Sequence, residues 1–174
     1  MVISRRERRP GSLRHALLDQ GATLANLRLT EKADLGVLYD AEIQNYDPDW
    51  FRSLNFTKEM FLAHYANVHS VGFEIDGKMV GGMLLHERKA HMAVLPEYHG
   101  RWSLLWMPAL AWLFSLQDPV FVDVAINNEK CIRLLERSNF KRTNVMANAV
   151  SFELSAKYVA HLRQPRSAIT EQPV

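Results

Sequence analysis

The sequence has 174 residues, the length of one ordinary domain. Its 48% apolar and 23% charged residues are typical of a soluble globular protein. The single cysteine, Cys131, excludes an internal disulfide and a cysteine-rich zinc site. It fits a reducing compartment, so we expect a cytoplasmic protein. The longest apolar run, 104–114, has about half of the roughly 20 residues that a membrane span needs, so we expect no membrane-spanning segment.

The net charge of +2 is unevenly distributed. The first 14 residues contain five arginines and one glutamate, a net charge of +4, so the remaining 160 residues carry −2. Repulsion between the arginines and a break at Pro10 and Gly11 predict a disordered basic tail over 1–11. We predict a folded domain over 12–162 and a second disordered tail over 163–174. This slightly acidic domain gives no reason to expect a nucleic-acid-binding core.

Hydrophobic periodicity and turn residues predict the element order β-α-α-β-β-β-α-β-α-β-β. Thr30 is the predicted N-cap of the first helix, and Pro108 is expected to kink the third helix or start it afresh. Trp106 and Trp112 are expected in the core, whereas Trp102 occupies a loop position. The predicted strands cover 23–30, 71–75, 78–86, 90–95, 121–126, 144–147 and 150–154, and the predicted helices cover 31–45, 57–68, 101–116 and 128–138.

The connections between these elements predict a mixed sheet. Asp76 and Gly77 separate two apolar runs, which is a strong signal for an antiparallel hairpin. A helix between the strands at 90–95 and 121–126 requires those two strands to pair in parallel. The expected fold class is therefore α/β (α+β), a single domain with about six to seven strands and about four flanking helices.

Two segments carry the strongest functional signal. Residues 91–102 form a strand, a tight turn with Gly100 and the start of a helix, which leaves backbone N–H groups available to a phosphate. Residues 124–140 form a buried strand, a helix with Asn128 at its cap, and a helix end at Asn139, a residue that tolerates the left-handed conformation.

These segments resemble the GCN5-related N-acetyltransferase (GNAT) superfamily. The element order matches over about 23–155, and the specific motifs cover about 90–140. The family has Val-x-Pro after its fourth strand and then a Gly-rich loop that holds the pyrophosphate of acetyl-CoA. Later it has an Asn, a small residue, a Leu and a terminal Phe. The matching residues are Val94, Pro96, Tyr98 and Gly100, followed by Asn128, Cys131, Leu134 and Phe140.

The resemblance implies acetyl-CoA as cosubstrate, with a backbone contact from Val94. Two glycines of the family loop are replaced here by Trp102 and Leu104, and side chains at these positions restrict the approach of phosphate to the backbone. His99 and Arg101 could offer charge in compensation. The expected cosubstrate-binding residues are Val94, Leu95, His99, Gly100, Arg101, Trp102, Ser103 and Asn128.

The resemblance also implies direct attack by an amine on the acetyl thioester. The candidate catalytic residues are His91, Glu87 and Tyr98, with His86 as a further candidate base. Counting by twos from Val94 places His91 on the opposite strand face, so the base stays open. The family's general-acid Tyr corresponds to Leu135, which cannot donate a proton. The five-residue spacing of His86 and His91 does not fit a helical zinc motif, so no metal is expected.

The acceptor and two other functions stay open. Acidic residues between the first two helices, at Asp47 and Asp49 beside Tyr46 and Trp50, would favour a cationic amine. The altered loop and Leu135 also fit a catalytically silent binding or structural protein of the same fold. The basic tail prompts a nucleic-acid-associated alternative, although nucleic acid is not an expected partner. The glycine-poor loop resembles those of some bacteriophage-encoded members.

Overall fold

The computed structural model describes residues 26–44 and 55–160. The two predicted tails, the first part of the predicted strand at 23–30 and the acidic segment at 46–50 lie outside these residues. The strands are β1 Leu27–Thr30, β2 His69–Ile75, β3 Lys78–His86, β4 Lys89–Val94, β5 Val120–Ala125, β6 Lys141–Val145 and β7 Ala149–Leu154. The α-helices are α1 Leu35–Ile43, α2 Lys58–Tyr65, α3 Trp106–Leu116, α4 Glu129–Arg137 and α5 Ala156–Val159, with two 3₁₀ helices at Pro96–Tyr98 and Trp102–Leu105.

The strands form one seven-stranded sheet in the order β1-β2-β3-β4-β5-β7-β6. The β4–β5 pair is parallel and the other pairs are antiparallel. This mixed sheet with helices on both faces confirms the predicted α+β class. No helix in 26–44 or 55–160 has the length and apolar character needed to cross a bilayer.

Short-range signals place several of the predicted turns and caps. Asp76 and Gly77 both have positive φ, 52° and 79°, as a two-residue hairpin of type I′ requires. Asn128 caps α4, and its Oδ1 accepts a hydrogen bond from the Cys131 amide at 3.2 Å. Asn139 follows α4 with φ 60°, the predicted left-handed conformation. These predictions are confirmed.

The start of α1 corrects one prediction. The N-cap is Asp34, not Thr30: its carboxylate accepts hydrogen bonds from the amides of Gly36 at 2.9 Å and Val37 at 3.1 Å. Thr30 instead ends β1, where its hydroxyl donates to the Lys32 carbonyl. A carboxylate accepting from two orphan amides is the better cap, so the helix begins four residues later than predicted.

The position of Trp102 corrects another prediction. Its indole is buried in the core beneath α3, stacked on Phe73 with ring centroids 5.9 Å apart and an interplanar angle of 4°. Its edge also meets Trp106 at 6.0 Å. The 3₁₀ turn that carries Trp102 precedes α3, which starts afresh at Trp106. Pro108 therefore lies in the first turn of α3, where its missing N–H breaks no helical hydrogen bond.

Each face of the sheet has its own core. The face covered by α3 and α4 buries the larger cluster, which includes Phe73, Leu110 and Phe152. The face covered by α1 and α2 buries a smaller cluster around Leu38, Phe61, Leu84 and Ala93. Because the two cores are separate, a residue on β4 is assigned to one face or the other by the cluster it joins.

Candidate functional site

The candidate site lies where β4 and β5 separate. These two strands, both within the described residues, share one register pair, Lys89 with Phe121. Beside it the Phe121 amide donates to the Arg88 carbonyl at 2.8 Å. If the two strands stayed paired, their parallel hydrogen bonds would continue at even spacing along both of them. The backbone of β4 beyond Lys89 is therefore not paired to β5, and a gap opens between the strands.

The direction of the Val94 backbone bears on the contact that the resemblance implies. The Leu95 amide donates to the Val80 carbonyl at 2.8 Å, and backbone groups along an antiparallel ladder alternate in direction. The amide and carbonyl of Val94 therefore point away from β3 and toward the gap. Leu95 is placed differently, since its amide is engaged by β3 and its side chain packs against the smaller core.

A cavity of about 230 Å³ occupies the gap. Its walls include three consecutive residues of β4, Ala90, His91 and Met92, and residues 122–125 of β5. Consecutive residues of a strand point to opposite faces of the sheet. The cavity is therefore bounded by groups from both faces, as an opening within the sheet requires. Asn128 and Cys131 close it on the side of α4.

His91 is the candidate base that lines this cavity. Burial lowers its pKa below the ordinary histidine value, and the charges of His86 and Lys89 lower it further, while Asp123 acts in the opposite direction. The imidazole is therefore neutral near pH 7. A neutral imidazole beside a cavity can accept a proton from a bound amine.

The other two catalytic candidates lie elsewhere. Glu87 is exposed in the turn between β3 and β4 and has a positive φ of 48°. Tyr98 lies in the first 3₁₀ helix, with the Arg101 guanidinium 5.8 Å from its ring centroid. Among the described residues that form the cavity wall, neither appears. The structure therefore does not bring the three candidates together.

The loop after β4 is held by its own side chains. His99 Nε2 lies 2.7 Å from the Val94 carbonyl oxygen. A carbonyl has no proton to give, so Nε2 is the donor. Arg101 donates to Asp76 Oδ2 at 2.6 Å, which joins the loop to the β2–β3 hairpin. The bond from the Asn26 amide, and then that from Arg101, lowers the pKa of Asp76. Phosphate binding by His99 and Arg101 stays a prediction.

Gly100 and Ser103 leave open space above this loop. A Cβ added to Gly100 would meet no atom within 4 Å, so the fold itself does not require glycine there. Ser103 is exposed in the second 3₁₀ helix. The indole of Trp102 lies in the core, so a ligand at this loop would contact the backbone of Trp102 and not its side chain. Asn128 lines the cavity while its Oδ1 caps α4.

The thiol of Cys131 also faces the cavity but is not activated. Burial raises its pKa to about 11, and the charge of Glu42 acts in the same direction. The thiol therefore stays protonated at neutral pH, as expected for a buried cysteine that packs rather than reacts. Within 26–44 and 55–160, no group of three or more His, Cys, Asp or Glu side chains could hold a metal ion.

Two acidic residues of the cavity wall were missed by the sequence analysis. Asp123 lies in the centre of the strand Val120–Ala125, and Glu42 lies near the end of α1. Asp123 had a signal that the sequence shows, because a single carboxylate interrupts the valines of a predicted strand. Nothing in the sequence distinguished Glu42, because acidic residues are common on helix surfaces.

The lowered pKa of His91 predicts how stability responds to pH. The unfolded chain binds a proton at His91 more readily than the folded protein does, so the free energy of unfolding falls as the pH drops from about 7 through the unfolded value near 6.5. His91→Gln should remove part of this slope in urea titrations at several pH values. An unchanged slope in His91→Gln would contradict the lowered pKa.

No protein-family model matches the chain, and no curated protein matches it by sequence. Solved structures do match. The PaiA N-acetyltransferase from Thermoplasma acidophilum, in complex with coenzyme A, is 15% identical with a TM-score of 0.58 over 75% of this chain and 99% of that chain. The spermidine/spermine N-acetyltransferase SpeG from Vibrio cholerae is 15% identical with a TM-score of 0.59 over 80% and 98%. The N-acetyltransferase PseH from Campylobacter jejuni is 15% identical with a TM-score of 0.51 over 76% and 99%. The chain therefore has the fold of the GCN5-related N-acetyltransferases.

Proposed function

We propose that the protein is an acetyl-CoA-dependent N-acyltransferase that transfers an acetyl group to an amine. The observation that carries this proposal is the cavity between β4 and β5, which His91 lines, next to a strand whose Val94 amide faces away from β3. The fold shared with N-acetyltransferases, one of them solved with coenzyme A, supports acetyl-CoA as the cosubstrate.

Each part of the site would have a separate role in the acyl transfer. The Val94 amide would donate to the thioester carbonyl oxygen as negative charge develops there. In the loop at 99–103, the backbone amide of Gly100 and the open space beside it would receive the pyrophosphate. The amine nitrogen attacks the carbonyl carbon, the N–C bond forms, and the C–S bond breaks with its electron pair leaving on sulfur. His91 takes the amine proton, which then passes to the thiolate.

The acceptor that the site supports best is a cationic amine. Glu42 and Asp123 both line the cavity and bring negative charge to it. The SpeG enzyme with the same fold acts on spermidine and spermine, which are cations. We therefore start the search for the acceptor with polyamines and lysine-containing peptides.

Binding of acetyl-CoA to the full chain is the first test. Acetyl-CoA at about 100 times its dissociation constant should raise the free energy of unfolding by roughly 2.7 kcal/mol. Gly100→Ala should fold with wild-type stability, because the added Cβ meets no atom within 4 Å, yet bind acetyl-CoA about tenfold more weakly, the loss of about one hydrogen bond to phosphate. Leu104→Ala, at a side chain that is 75% exposed in the same loop, is the matched control.

The second measurement is thiol release from acetyl-CoA in the presence of each amine. A stabilised protein that releases thiol with an amine supports the proposal. A folded protein with no thermal shift at millimolar acetyl-CoA would overturn it, in favour of the catalytically silent alternative.

A further inference from the structure

Asp123 is a carboxylate fixed at the edge of the cavity. Its Oδ2 accepts a hydrogen bond from Lys89 Nζ at 2.7 Å, and its Oδ1 accepts one from the Ser151 hydroxyl at 2.6 Å. The bond from Lys89, and to a lesser extent the bond from Ser151, lowers the pKa of Asp123, so its carboxylate is ionised at neutral pH. With both oxygens bonded, the carboxylate has one orientation.

The strand register brings Asp123 beside His91. Lys89 pairs with Phe121, so two residues further along each parallel strand stand His91 and Asp123. Side chains two residues apart lie on the same face of a strand. Ala93, two residues beyond His91, joins the core under α1 and α2, which assigns His91 and Asp123 to that face. Both line the cavity at the point where the strands part.

Apart from the two carboxylates of the cavity, Asp123 and Glu42, the groups around His91 oppose a positive charge on it or carry none. His86 and Lys89 repel a protonated imidazole, and His64 does so more weakly. Tyr65, from α2, has its ring centroid 6.0 Å from that of His91, and burial raises its pKa, so it is neutral. Glu42 lines the same cavity from α1. Among the charges that act on the pKa of His91, that of Asp123 favours its protonation.

We propose that Asp123 is a positioning residue whose carboxylate, oriented by Lys89 and Ser151, supports the positive charge that His91 acquires when it accepts the amine proton. The inference rests on the proposed function for its role in catalysis. It adds that the two partners of the Lys89–Asp123 ion pair act on the basicity of His91 in opposite directions. A buried base without such a carboxylate would resist the proton it must take.

Asp123 and Lys89 act on the protonation of His91 in opposite directions, so replacing each of them in turn tests the inference. The His91 ring is titrated by NMR in the full chain, its signal identified by its loss in His91→Gln. Asp123→Asn should move the titration midpoint to lower pH, because the repulsion from Lys89 is no longer offset. Lys89→Gln should move it to higher pH. Ser151→Ala removes no charge and should move it least, while Asp123→Glu should restore part of the wild-type value.

Each outcome decides the inference. Midpoints that shift in opposite directions in Asp123→Asn and Lys89→Gln support it, together with a parallel shift in the acidic limb of the pH profile of kcat/KM. A folded Asp123→Asn protein with the wild-type midpoint overturns it. Lys89 is exposed, so its variant should fold even if Asp123→Asn does not, and an unchanged midpoint there also overturns the inference.

The test separates this inference from the proposed function. If the wild-type protein transfers no acetyl group, the proposed function fails, yet the titrations still decide whether Asp123 supports the charge of His91. If transfer proceeds normally and the midpoints do not move, the inference fails by itself.

Discussion

Replacing Trp102 with alanine should lower the free energy of unfolding by about 3–5 kcal/mol. The indole is buried between Phe73 and Trp106, so its removal forfeits the transfer free energy of a large ring, leaves a cavity and breaks two aromatic contacts. Urea denaturation at neutral pH measures the change. The loss would be a large share of the 5–15 kcal/mol that stabilises an ordinary domain.

The control for Trp102 lies in the same short helix. Leu104 is 75% exposed, so Leu104→Ala should change the free energy of unfolding by no more than about 0.5 kcal/mol. Trp102→Phe should recover part of the loss because a ring still fills the site. A Trp102→Ala protein of nearly wild-type stability that fails to bind acetyl-CoA would show instead that the indole contacts the ligand.

The elements of this fold that depend on neighbouring residues were predictable from the sequence. The hairpin at Asp76 and Gly77, the cap at Asn128 and the left-handed Asn139 each follow from a side chain acting on its own backbone. The N-cap of α1 was missed because two capping residues, Thr30 and Asp34, precede the helix. Sequence spacing alone does not choose between them.

Trp102 shows why the loop could not be read in the same way. Its position matched that of a family glycine, which suggested a side chain facing the phosphate. Whether an indole turns outward or inward depends on the space beneath it, and here that space is provided by Phe73 from β2 and Trp106 from α3. Contacts with residues from other strands and helices cannot be predicted from the residues next to Trp102 in the sequence.

The site itself was predicted in part. Strand alternation placed His91 on the face opposite Val94, and the structure confirms that it lies on the α1 and α2 side. Strand alternation excludes a residue from a site on the opposite face only when the strand is paired on both sides. Because β4 and β5 separate, the gap is lined from both faces, and His91 reaches it. The separation depends on the pairing of distant strands and could not be predicted from either strand.

The largest effect on activity is expected from His91. If His91 is the general base, His91→Gln should lower kcat for acetyl transfer by about 10²–10⁴-fold, the usual contribution of a positioned base. The loop that we propose to hold the pyrophosphate begins beyond β4, so the binding of acetyl-CoA should be retained. Steady-state thiol release and the acetyl-CoA thermal shift, measured on the same preparation, separate the two effects.

The controls for this experiment test the alternatives among the candidates. Glu87→Gln changes an exposed carboxylate in the turn before β4, and Tyr98→Phe removes a hydroxyl from the first 3₁₀ helix; both should keep kcat within a few fold of wild type. The rate of His91→Gln should also lose the acidic limb of its pH profile, because the group that must be deprotonated is gone. A rate that falls in Glu87→Gln and not in His91→Gln would transfer the role of base to the turn and remove it from the cavity.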